Sequence, residues 1–457
     1  MINKTAAVIG GGISGLCAGF KLKQAGVDVV LFEGAGMVGG NIRTVSNEGF
    51  LCEEGPNSTL ASIELLDLLS ELGIADQIAA PNANAKKRYV LKSGKLAALP
   101  SGPADLLKGG VFSARARLRM LKEPFVGSRS PDDESVAEFF ERRLGKEIVD
   151  YAVDPFISGI YAGDPQKLRI KDAFPRLFEM ERSHGSLMWA AVFGKKDKSR
   201  QVPKGTPRSI TFQSGMQTLS DRLFERLKEN VRLNTKIESV RKTGSGGFTL
   251  RSGGREESFG AIVVSTPAHA AAGLIEMLDP NASIQLSNIY YPPVSIVHTG
   301  FRKGQVASDV NGFGFLVPGR ERRNILGSLW TSSVFDGRAP AEHHLFTTFL
   351  GGSRNAGICE EADEEQIKIA VDELRSILGI KGNPVMTAIK RWNKAIPQYN
   401  MGYERVHAAI DTFRKDHPGV FFCSNYYKGI SVSDCIKNAG ATAGEIIDLF
   451  NRGDNLK

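Results

Sequence analysis

The sequence predicts an α/β protein built around a Rossmann-type nucleotide domain that the chain leaves and later re-enters. Three observations lead to this fold class: a glycine fingerprint after the first apolar run, an apolar segment at 261–265 that ends in a serine, and a similar one at 420–424. Short apolar runs bounded by turns are typical of buried parallel strands, which can pair in one sheet although they lie far apart in sequence. We therefore expect one discontinuous domain with other parts inserted between its segments.

The N-terminal fingerprint has the form of a dinucleotide site. The first apolar run ends in Gly10-Gly11-Gly12-Ile13-Ser14-Gly15, and a helix is predicted over about 14–25. In this pattern the glycines allow a tight turn, a close approach of the backbone to a pyrophosphate, and close packing of helix on strand. A second apolar run leads to Glu33, at about the 20-residue spacing of an acid that binds a ribose hydroxyl and disfavours a 2′-phosphate.

A second glycine turn follows the acid and distinguishes a flavin from a nicotinamide nucleotide. Gly39-Gly40-Asn41-Ile42-Arg43 places an arginine where it can contact the same pyrophosphate. This arrangement resembles the flavin-containing amine oxidase superfamily. Near the other end of the chain, a strand and the turn at Gly429 feed a last helix, which predicts a second site for negative charge at the pyrimidine end of the flavin.

Composition limits the remaining classes. With 457 residues the chain is long enough for two or three domains, and its net charge of +8 permits attraction to anionic lipid, nucleic acid or polyanionic ligands. The five cysteines are scattered and the seven histidines lack metal-ligand spacing, so we expect reduced cytosolic thiols and no metal site. We expect neither a signal peptide nor a transmembrane span, which leaves peripheral membrane contact open.

Between the nucleotide segments the patterns change. A hairpin is predicted at 85–99, a helical basic region over about 105–200, a helix over 215–228, strands at 231–241, 248–251 and 256–259, a second sheet within 276–390, and amphipathic helices at 364–378 and from 432. The turn-rich segment 194–207 predicts an exposed loop at a domain boundary. The run Arg115–Lys122 is rich in basic residues and has two possible interpretations. It forms either a basic amphipathic surface or an ordinary solvated helix face. In the first case, the apolar residues of the surface would be Leu106, Leu107, Val111, Phe112, Leu118, Leu121 and Phe125.

Longer motifs resemble the protoporphyrinogen/coproporphyrinogen oxidase family of that superfamily. The matching stretches are Glu54-Gly55-Pro56, 156–164 (FISGIYAGD), 312–318 (GFGFLVP), 396–399 (IPQY) and 426–436 (YYKGISVSDCI). The resemblance implies a Rossmann-type FAD domain, a mixed-sheet substrate domain and a helical membrane-binding domain. On this basis the expected divisions are 1–84, 205–275 and 391–457 for FAD, 276–390 for substrate, and 85–204 for the hairpin plus the helical region. Both interpretations of the basic run remain open.

The resemblance also carries over individual site residues. Its FAD contacts fall on Gly10, Gly11, Gly12, Ile13, Ser14, Gly15, Glu33, Asn41, Arg43, Gly55, Pro56, Asn57, Ser58, Ile237, Trp392, Ile430, Ser431 and Val432. Asn41 departs from the tryptophan of some relatives, so a backbone contact would survive there and a stacking contact would not. Arg88 matches an arginine that pairs with a propionate, as a guanidinium can do bidentately. The macrocycle positions fall on Phe313, Gly314, Leu316 and Phe349.

The activity implied by the resemblance is FAD-dependent oxidation of protoporphyrinogen IX, a CH–CH donor, to protoporphyrin IX. Six electrons would leave in three hydride steps to the flavin, with O2 as final acceptor and no assigned acid–base residue. Coproporphyrinogen III is the nearest alternative substrate. An amine oxidase, a carotenoid desaturase or a non-catalytic binding module of this fold is more distant.

The expected partners and location follow from the same resemblance and from composition. The expected partners are the porphyrinogen and O2, with peripheral membrane contact left open, whereas no motif supports nucleic-acid binding. The oligomeric state is left open, a homodimer included. We expect a cytoplasmic protein, with peripheral attachment to the inner face of the cell membrane left open.

Overall fold

The computed structural model describes residues 4–100, 102, 105, 110–193, 202–203, 205–244 and 246–454. Its five-stranded nucleotide sheet is entirely parallel, in the order Val231–Arg232, Asp28–Phe32, Thr5–Ile9, Ala261–Val264 and Val420–Phe422. Strands Thr5–Ile9, Ala261–Val264 and Val420–Phe422 are almost wholly apolar and buried because helices cover both faces of a parallel sheet. The prediction that 261–264 and 420–422 return to the N-terminal sheet is confirmed.

The second large sheet has seven strands and is mixed. Its order is Met386–Trp392, Val294–Arg302, His343–Gly351, Ile325–Leu329, Gly314–Leu316, Tyr89–Lys92 and Lys95–Ala98. All pairs are antiparallel except the parallel pair of Gly314–Leu316 with Tyr89–Lys92. The predicted hairpin thus joins this sheet, whereas the sequence grouped it with the helical region. The first strand of the sheet also runs across the expected division at 390/391.

Three small sheets complete the strand set. They comprise Ser239–Lys242, Phe248–Ser252 and Arg255–Phe259; Thr44–Asn47 and Phe50–Glu53; and Thr59–Leu60, Ser209–Phe212 and Ile78–Ala79. The prediction of one strand over 231–241 is wrong. The chain turns at Asn234, whose φ is 53°, and the amide of Thr235 donates to the carbonyl of Glu33. This turn divides the segment between two sheets.

One helix, Ile63–Leu72, has a clear cap at each end. For Ile63–Leu72, the Ser62 hydroxyl accepts a hydrogen bond from the Leu65 amide at 3.2 Å, and Gly73 ends the helix in the left-handed conformation. The other helices are Ile13–Gln24, Ala114–Leu121, Val136–Leu144, Lys146–Ile148, Asp154–Tyr161, Ile170–Ala173, Pro175–His184, Leu187–Phe193, Gln217–Leu227, Ala268–Ile275, Pro280–Ser287, Thr331–Val334, Asp363–Leu378, Glu404–Asp416 and Val432–Asp454.

Shorter helical turns lie between these elements. They are Ala75–Gln77, Ala83–Lys86, Glu123–Phe125, Lys228–Asn230, Lys303–Gln305, Gly319–Glu321 and Ala356–Glu360, with a wider π turn at Val149–Val153. Across the described helices, none is both long enough and apolar enough to cross a membrane.

A buried ionic network holds the helical region together. Arg143 is fully buried and contacts Glu181 and, at 3.3 Å, Glu123. Arg142 binds Glu134 and Glu181, both at 2.7 Å. Burial alone would raise the pKa of Glu181, but hydrogen bonds from the two arginines and a backbone amide outweigh burial and lower that pKa. The network fixes the spacing of the helices that lie above the large cavity.

The apolar residues in and around the basic run Arg115–Lys122 are partly buried and partly exposed. Val111 and Phe112 are buried, whereas Leu118, Leu121 and Phe125 are exposed. The predicted Leu106 and Leu107 lie outside the described residues, as does most of the predicted loop at 194–207, namely 194–201 and 204. The exposed residues therefore form one apolar patch beside the charged face of helix Ala114–Leu121.

Candidate active site

One continuous cavity of about 3100 Å³ runs between the nucleotide sheet, the large mixed sheet and the helical region. Its walls include most of the residues that the sequence predicts for the site. Those lining it are Gly10, Gly12, Ile13, Ser14, Glu33, Asn41, Gly55, Pro56, Asn57, Ser58, Arg88, Ile237, Phe313, Gly314, Leu316, Phe349, Trp392, Ile430, Ser431 and Val432. Gly11, Gly15 and Arg43 are not among the lining residues.

The first glycine turn leaves open space at one position and none at another. A Cβ built at Gly12 has no described atom within 4 Å, although this residue lies at the N-terminus of helix Ile13–Gln24. A Cβ at Gly15 would instead collide with the carbonyl oxygen of Gly10. Gly12 therefore leaves room for a ligand beside the free helix amides, whereas Gly15 lets the helix pack on its own strand.

Glu33 is held in place by its neighbours at the edge of this turn. One carboxylate oxygen accepts from the Gly11 amide at 2.6 Å, and the other accepts from the Ala35 amide at 2.8 Å. Each oxygen retains acceptor capacity, so a ribose hydroxyl can still donate to it. Gly11 thus contributes by orienting the acid rather than by lining the cavity.

The second glycine turn is joined directly to the first. The Gly39 amide donates to the Gly11 carbonyl at 2.8 Å. Asn41 lines the cavity, while the half-buried Arg43 donates from Nε to the Gly40 carbonyl at 3.2 Å. The contact of Arg43 with a pyrophosphate stays a prediction.

Two buried side-chain oxygens beside the cavity, one of them in the turn at 55–58, have no hydrogen-bond partner among the described residues. Within the described part of the chain, the buried oxygens Asn57 Oδ1 and Thr266 Oγ1 make no hydrogen bond, and both residues line the cavity. Trp392 supports the turn because its indole N–H donates to the Glu54 carbonyl. Buried polar atoms are normally paired, so these oxygens fit a polar ligand.

The C-terminal helix presents its first turn to the same cavity. Ser431 and Asp434 cap each other: the Ser431 hydroxyl donates to Asp434 Oδ2 at 2.6 Å, and the Asp434 amide donates to Ser431 Oγ at 3.1 Å. Tyr399 holds the preceding turn, accepting from the Gly429 amide at 3.2 Å and donating to the Asn425 carbonyl at 2.8 Å. Ile430 and Val432 then line the cavity next to the positive end of the helix.

Two of the quoted motifs contact each other, which gives a physical reason for their joint occurrence. Gln398 donates to the Tyr161 carbonyl at 2.8 Å, and the Arg169 amide donates to the Tyr399 carbonyl at 2.8 Å. A Cβ at Gly163 would lie 2.5 Å from the Gln398 side-chain oxygen. The 396–399 segment therefore fixes both the helical wall and the C-terminal turn.

The other end of the cavity is an apolar chamber with a cationic wall. The guanidinium of Arg88 lies over the ring of Phe313, 4.9 Å from its centroid. Gly314 has φ of 134° and packs on the backbone at Ser328, where a Cβ would collide. Phe349 comes from strand His343–Gly351, in the interior of the large sheet. Burial, and then the charge of Arg208, lower the pKa of Arg88.

Several lining residues carry chemistry that sequence reasoning missed. His269 lines the cavity, and its pKa is lowered by burial and by the charge of Lys394. His407 lies 3.2 Å from Asp172 on the helical side. Arg208 lines the chamber with Arg88. None of these residues belongs to a motif identified in the sequence, and strand Ser209–Phe212 after Arg208 was not predicted.

The fold and this cavity define a flavin-binding oxidoreductase. The family model for flavin-containing amine oxidoreductases matches residues 13–447, and the chain belongs to this family. Relatives include protoporphyrinogen oxidase 2, chloroplastic/mitochondrial, of Arabidopsis thaliana, 34% identical over 99% of this chain and 96% of the relative. Coproporphyrinogen III oxidase of Bacillus subtilis (strain 168) is 30% identical, over 97% and 98% of the two chains.

Solved structures agree on the fold. A crystal structure from Exiguobacterium sp. 255-15, provisionally named protoporphyrinogen oxidase, has a TM-score of 0.81 at 23% identity, covering 98% of this chain and 99% of that one. Cyclohexylamine oxidase from Brevibacterium oxydans IH-35A has a TM-score of 0.72 at 16% identity, covering 98% and 100%. The predicted FAD domain and mixed-sheet domain are therefore confirmed, while a membrane-binding role of the helices stays a prediction.

FAD is the cofactor of this family, and the residues present fit it. The open space at Gly12 suits a pyrophosphate. The carboxylate of Glu33, which retains acceptor capacity, suits a ribose, and the unpaired oxygen of Asn57 suits a further polar group of the same ligand. The chain is accordingly an FAD-dependent oxidoreductase.

Proposed function

We propose that this chain oxidises protoporphyrinogen IX to protoporphyrin IX, removing six electrons with molecular oxygen as the final acceptor. The observation that carries the proposal is the single cavity, in which the predicted flavin contacts continue into an apolar chamber bordered by Arg88. A tetrapyrrole macrocycle with carboxylate side chains requires this combination of surfaces. The names of the relatives point to the same class of substrate.

The chain's own residues would bind and orient the macrocycle. FAD supplies the two-electron redox chemistry of each step when it is bound. Phe313 and Phe349 offer apolar faces, and Gly314 and Leu316 line the same chamber. Arg88 would hold a carboxylate bidentately and so anchor one side of the ring in the chamber. We assign no acid–base residue.

Aerobic turnover of the purified holoenzyme tests the proposal. Protoporphyrinogen IX and coproporphyrinogen III are supplied separately, and the rise of porphyrin fluorescence is followed beside the flavin absorption spectrum. We expect flavin in the protein and a higher kcat/KM for protoporphyrinogen IX. Peroxide formation in step with porphyrin would support O2 as acceptor. Bound flavin without oxidation of either substrate would contradict the proposal.

Coproporphyrinogen III is the second candidate because the cavity wall carries further cations. They include Lys86, Lys171, Arg176 and Arg208. Coproporphyrinogen III has four propionates, and additional cations could each bind one of them. A higher kcat/KM for coproporphyrinogen III in the same experiment would favour this candidate and leave the family and the site unchanged.

We further propose peripheral contact with the inner face of the cell membrane through the apolar patch. Leu118, Leu121 and Phe125 are 56%, 54% and 83% exposed, and the exposed Arg115 and Lys122 flank them. Apolar side chains beside cations favour an anionic bilayer surface. We expect co-sedimentation with anionic vesicles and less with neutral ones.

A variant that places two carboxylates in the patch tests that contact. Leu118→Glu with Leu121→Glu should remove co-sedimentation with anionic vesicles. Met277→Glu is the control, since Met277 is 61% exposed but lies outside the helical region. Equal vesicle binding by both variants would refute the patch as the contact surface.

The domain divisions and the assembly belong to the same proposal. The five segments bounded at 84/85, 204/205, 275/276 and 390/391 are proposed as the units of FAD, helical and substrate function. Limited proteolysis should cut first near 194–207 if the boundary at 204/205 is correct.

A homodimer should appear as twice the chain mass of 49.5 kDa in light scattering.

A further inference from the structure

Two arginines from different parts of the fold share the wall of the substrate chamber. Arg88 precedes the hairpin strand Tyr89–Lys92 of the large sheet. Arg208 precedes strand Ser209–Phe212, and its carbonyl accepts from the Ala61 amide at 3.1 Å. Both side chains line the one cavity, and solvent within the cavity reaches both of them. The charge of Arg208 acts on Arg88 strongly enough to lower its pKa, after the effect of burial.

No carboxylate of the cavity wall neutralises this pair. Within the described part of the chain, neither guanidinium makes a hydrogen bond or an ion pair; Arg88 only covers the Phe313 ring. The acids that line the cavity are bound to other groups, namely Glu33, Asp172, Glu238 and Asp434. Two cations that repel each other in a partly enclosed space favour the binding of anions from outside.

We propose that Arg208 binds a second carboxylate of the substrate beside the one bound by Arg88, an inference that rests on the proposed function. Both candidate porphyrinogens carry propionates on two neighbouring pyrroles, so a pair of guanidinium groups can take one each. Because Arg88 and Arg208 belong to different sheets, two such bonds fix the rotation of the ring within its plane. One arginine alone leaves the ring free to pivot about a single bond.

Binding of an unreactive porphyrin separates this role from turnover. Mesoporphyrin IX, which has two propionates, and its dimethyl ester are titrated into holoenzyme while porphyrin fluorescence is followed. We expect Arg208→Ala to weaken mesoporphyrin IX roughly tenfold or more and to leave the ester unchanged. Arg226→Ala, which removes an exposed arginine outside the cavity wall, is the matched control and should change neither.

A second pair of variants covers the case in which Arg208→Ala fails to fold or loses flavin. Arg208→Lys keeps the charge and Arg208→Gln removes it at similar length, so only the glutamine variant should lose affinity for the dicarboxylate strongly. Equal affinities in these two variants would overturn the proposal, as would equal weakening of acid and ester by Arg208→Ala. A wild-type protein that oxidises neither porphyrinogen instead rejects the proposed function, and the role of Arg208 falls with it.

Discussion

Replacement of Gly12 by alanine tests the flavin site without disturbing the fold. The residue has φ of −71° and ψ of 176°, which an alanine adopts readily, and a Cβ there has no described atom within 4 Å. The free energy of unfolding of the apoprotein should therefore change by less than about 1 kcal/mol. The added methyl group nonetheless occupies the space in which a pyrophosphate would approach the helix amides.

The expected loss falls on flavin affinity. A methyl group forced into an occupied, closely packed space costs about 1–3 kcal/mol. Such a loss corresponds to a roughly five- to 150-fold rise in the Kd for FAD. The assay compares flavin absorbance per mole of protein, the Kd from FAD titration of the apoprotein, and urea unfolding of the apoprotein.

Two glycine controls make the result interpretable. Gly440→Ala lies at an exposed position of the C-terminal helix with no described atom near its Cβ, and it should leave flavin affinity unchanged. Gly15→Ala should destabilise the apoprotein itself, because its Cβ would collide with the Gly10 carbonyl. A Gly12→Ala protein that binds FAD as tightly as wild type would refute the assignment of this turn to the pyrophosphate.

Two further predictions concern stability and the support of the site. The pKa of Glu181 is depressed because hydrogen bonds from Arg142 and Arg143 outweigh the effect of burial. The stability that Glu181 contributes is therefore fully present at a pH above its ordinary pKa of 4.5, and it is lost as the pH falls through the depressed pKa. Glu181→Gln should cost about 3 kcal/mol or more at pH 7, measured by urea unfolding, and should flatten the acid side of the stability profile; an unchanged profile contradicts this. Trp392→Phe should lose about 0.5–1.5 kcal/mol with the hydrogen bond to Glu54, and an unchanged melting temperature would contradict it.

Local patterns identified the parts of the site that follow one another along the chain. Each of these parts lies within one short segment: the fingerprint at 10–15, the acid at 33, and the strand and turn before 432. The parallel sheet brings them together at the carboxyl ends of its strands. The same reasoning failed at 231–241 because a turn tied to Glu33 by a tertiary hydrogen bond divides the predicted strand.

The hairpin at 89–98 shows a second limit. The prediction of a hairpin at 85–99 is confirmed, since strands Tyr89–Lys92 and Lys95–Ala98 pair across a turn at Ser93 and Gly94. Its partner, Gly314–Leu316, lies more than 200 residues away, so no local pattern could assign the hairpin to the large sheet. Arg88 reached the substrate chamber through that pairing, and sequence analysis could propose its role only from a family resemblance.

What the sequence by itself determined is the class of the protein: an α/β chain with a discontinuous flavin domain, because glycine turns, apolar strands and an acid at fixed spacing are local requirements of the ligand. Only the tertiary structure decided which distant side chains share the cavity. Arg208, His269 and the pair of His407 with Asp172 reach its wall from separate elements. Their places depend on the packing of sheets and helices, which brings together residues that no spacing along the chain connects.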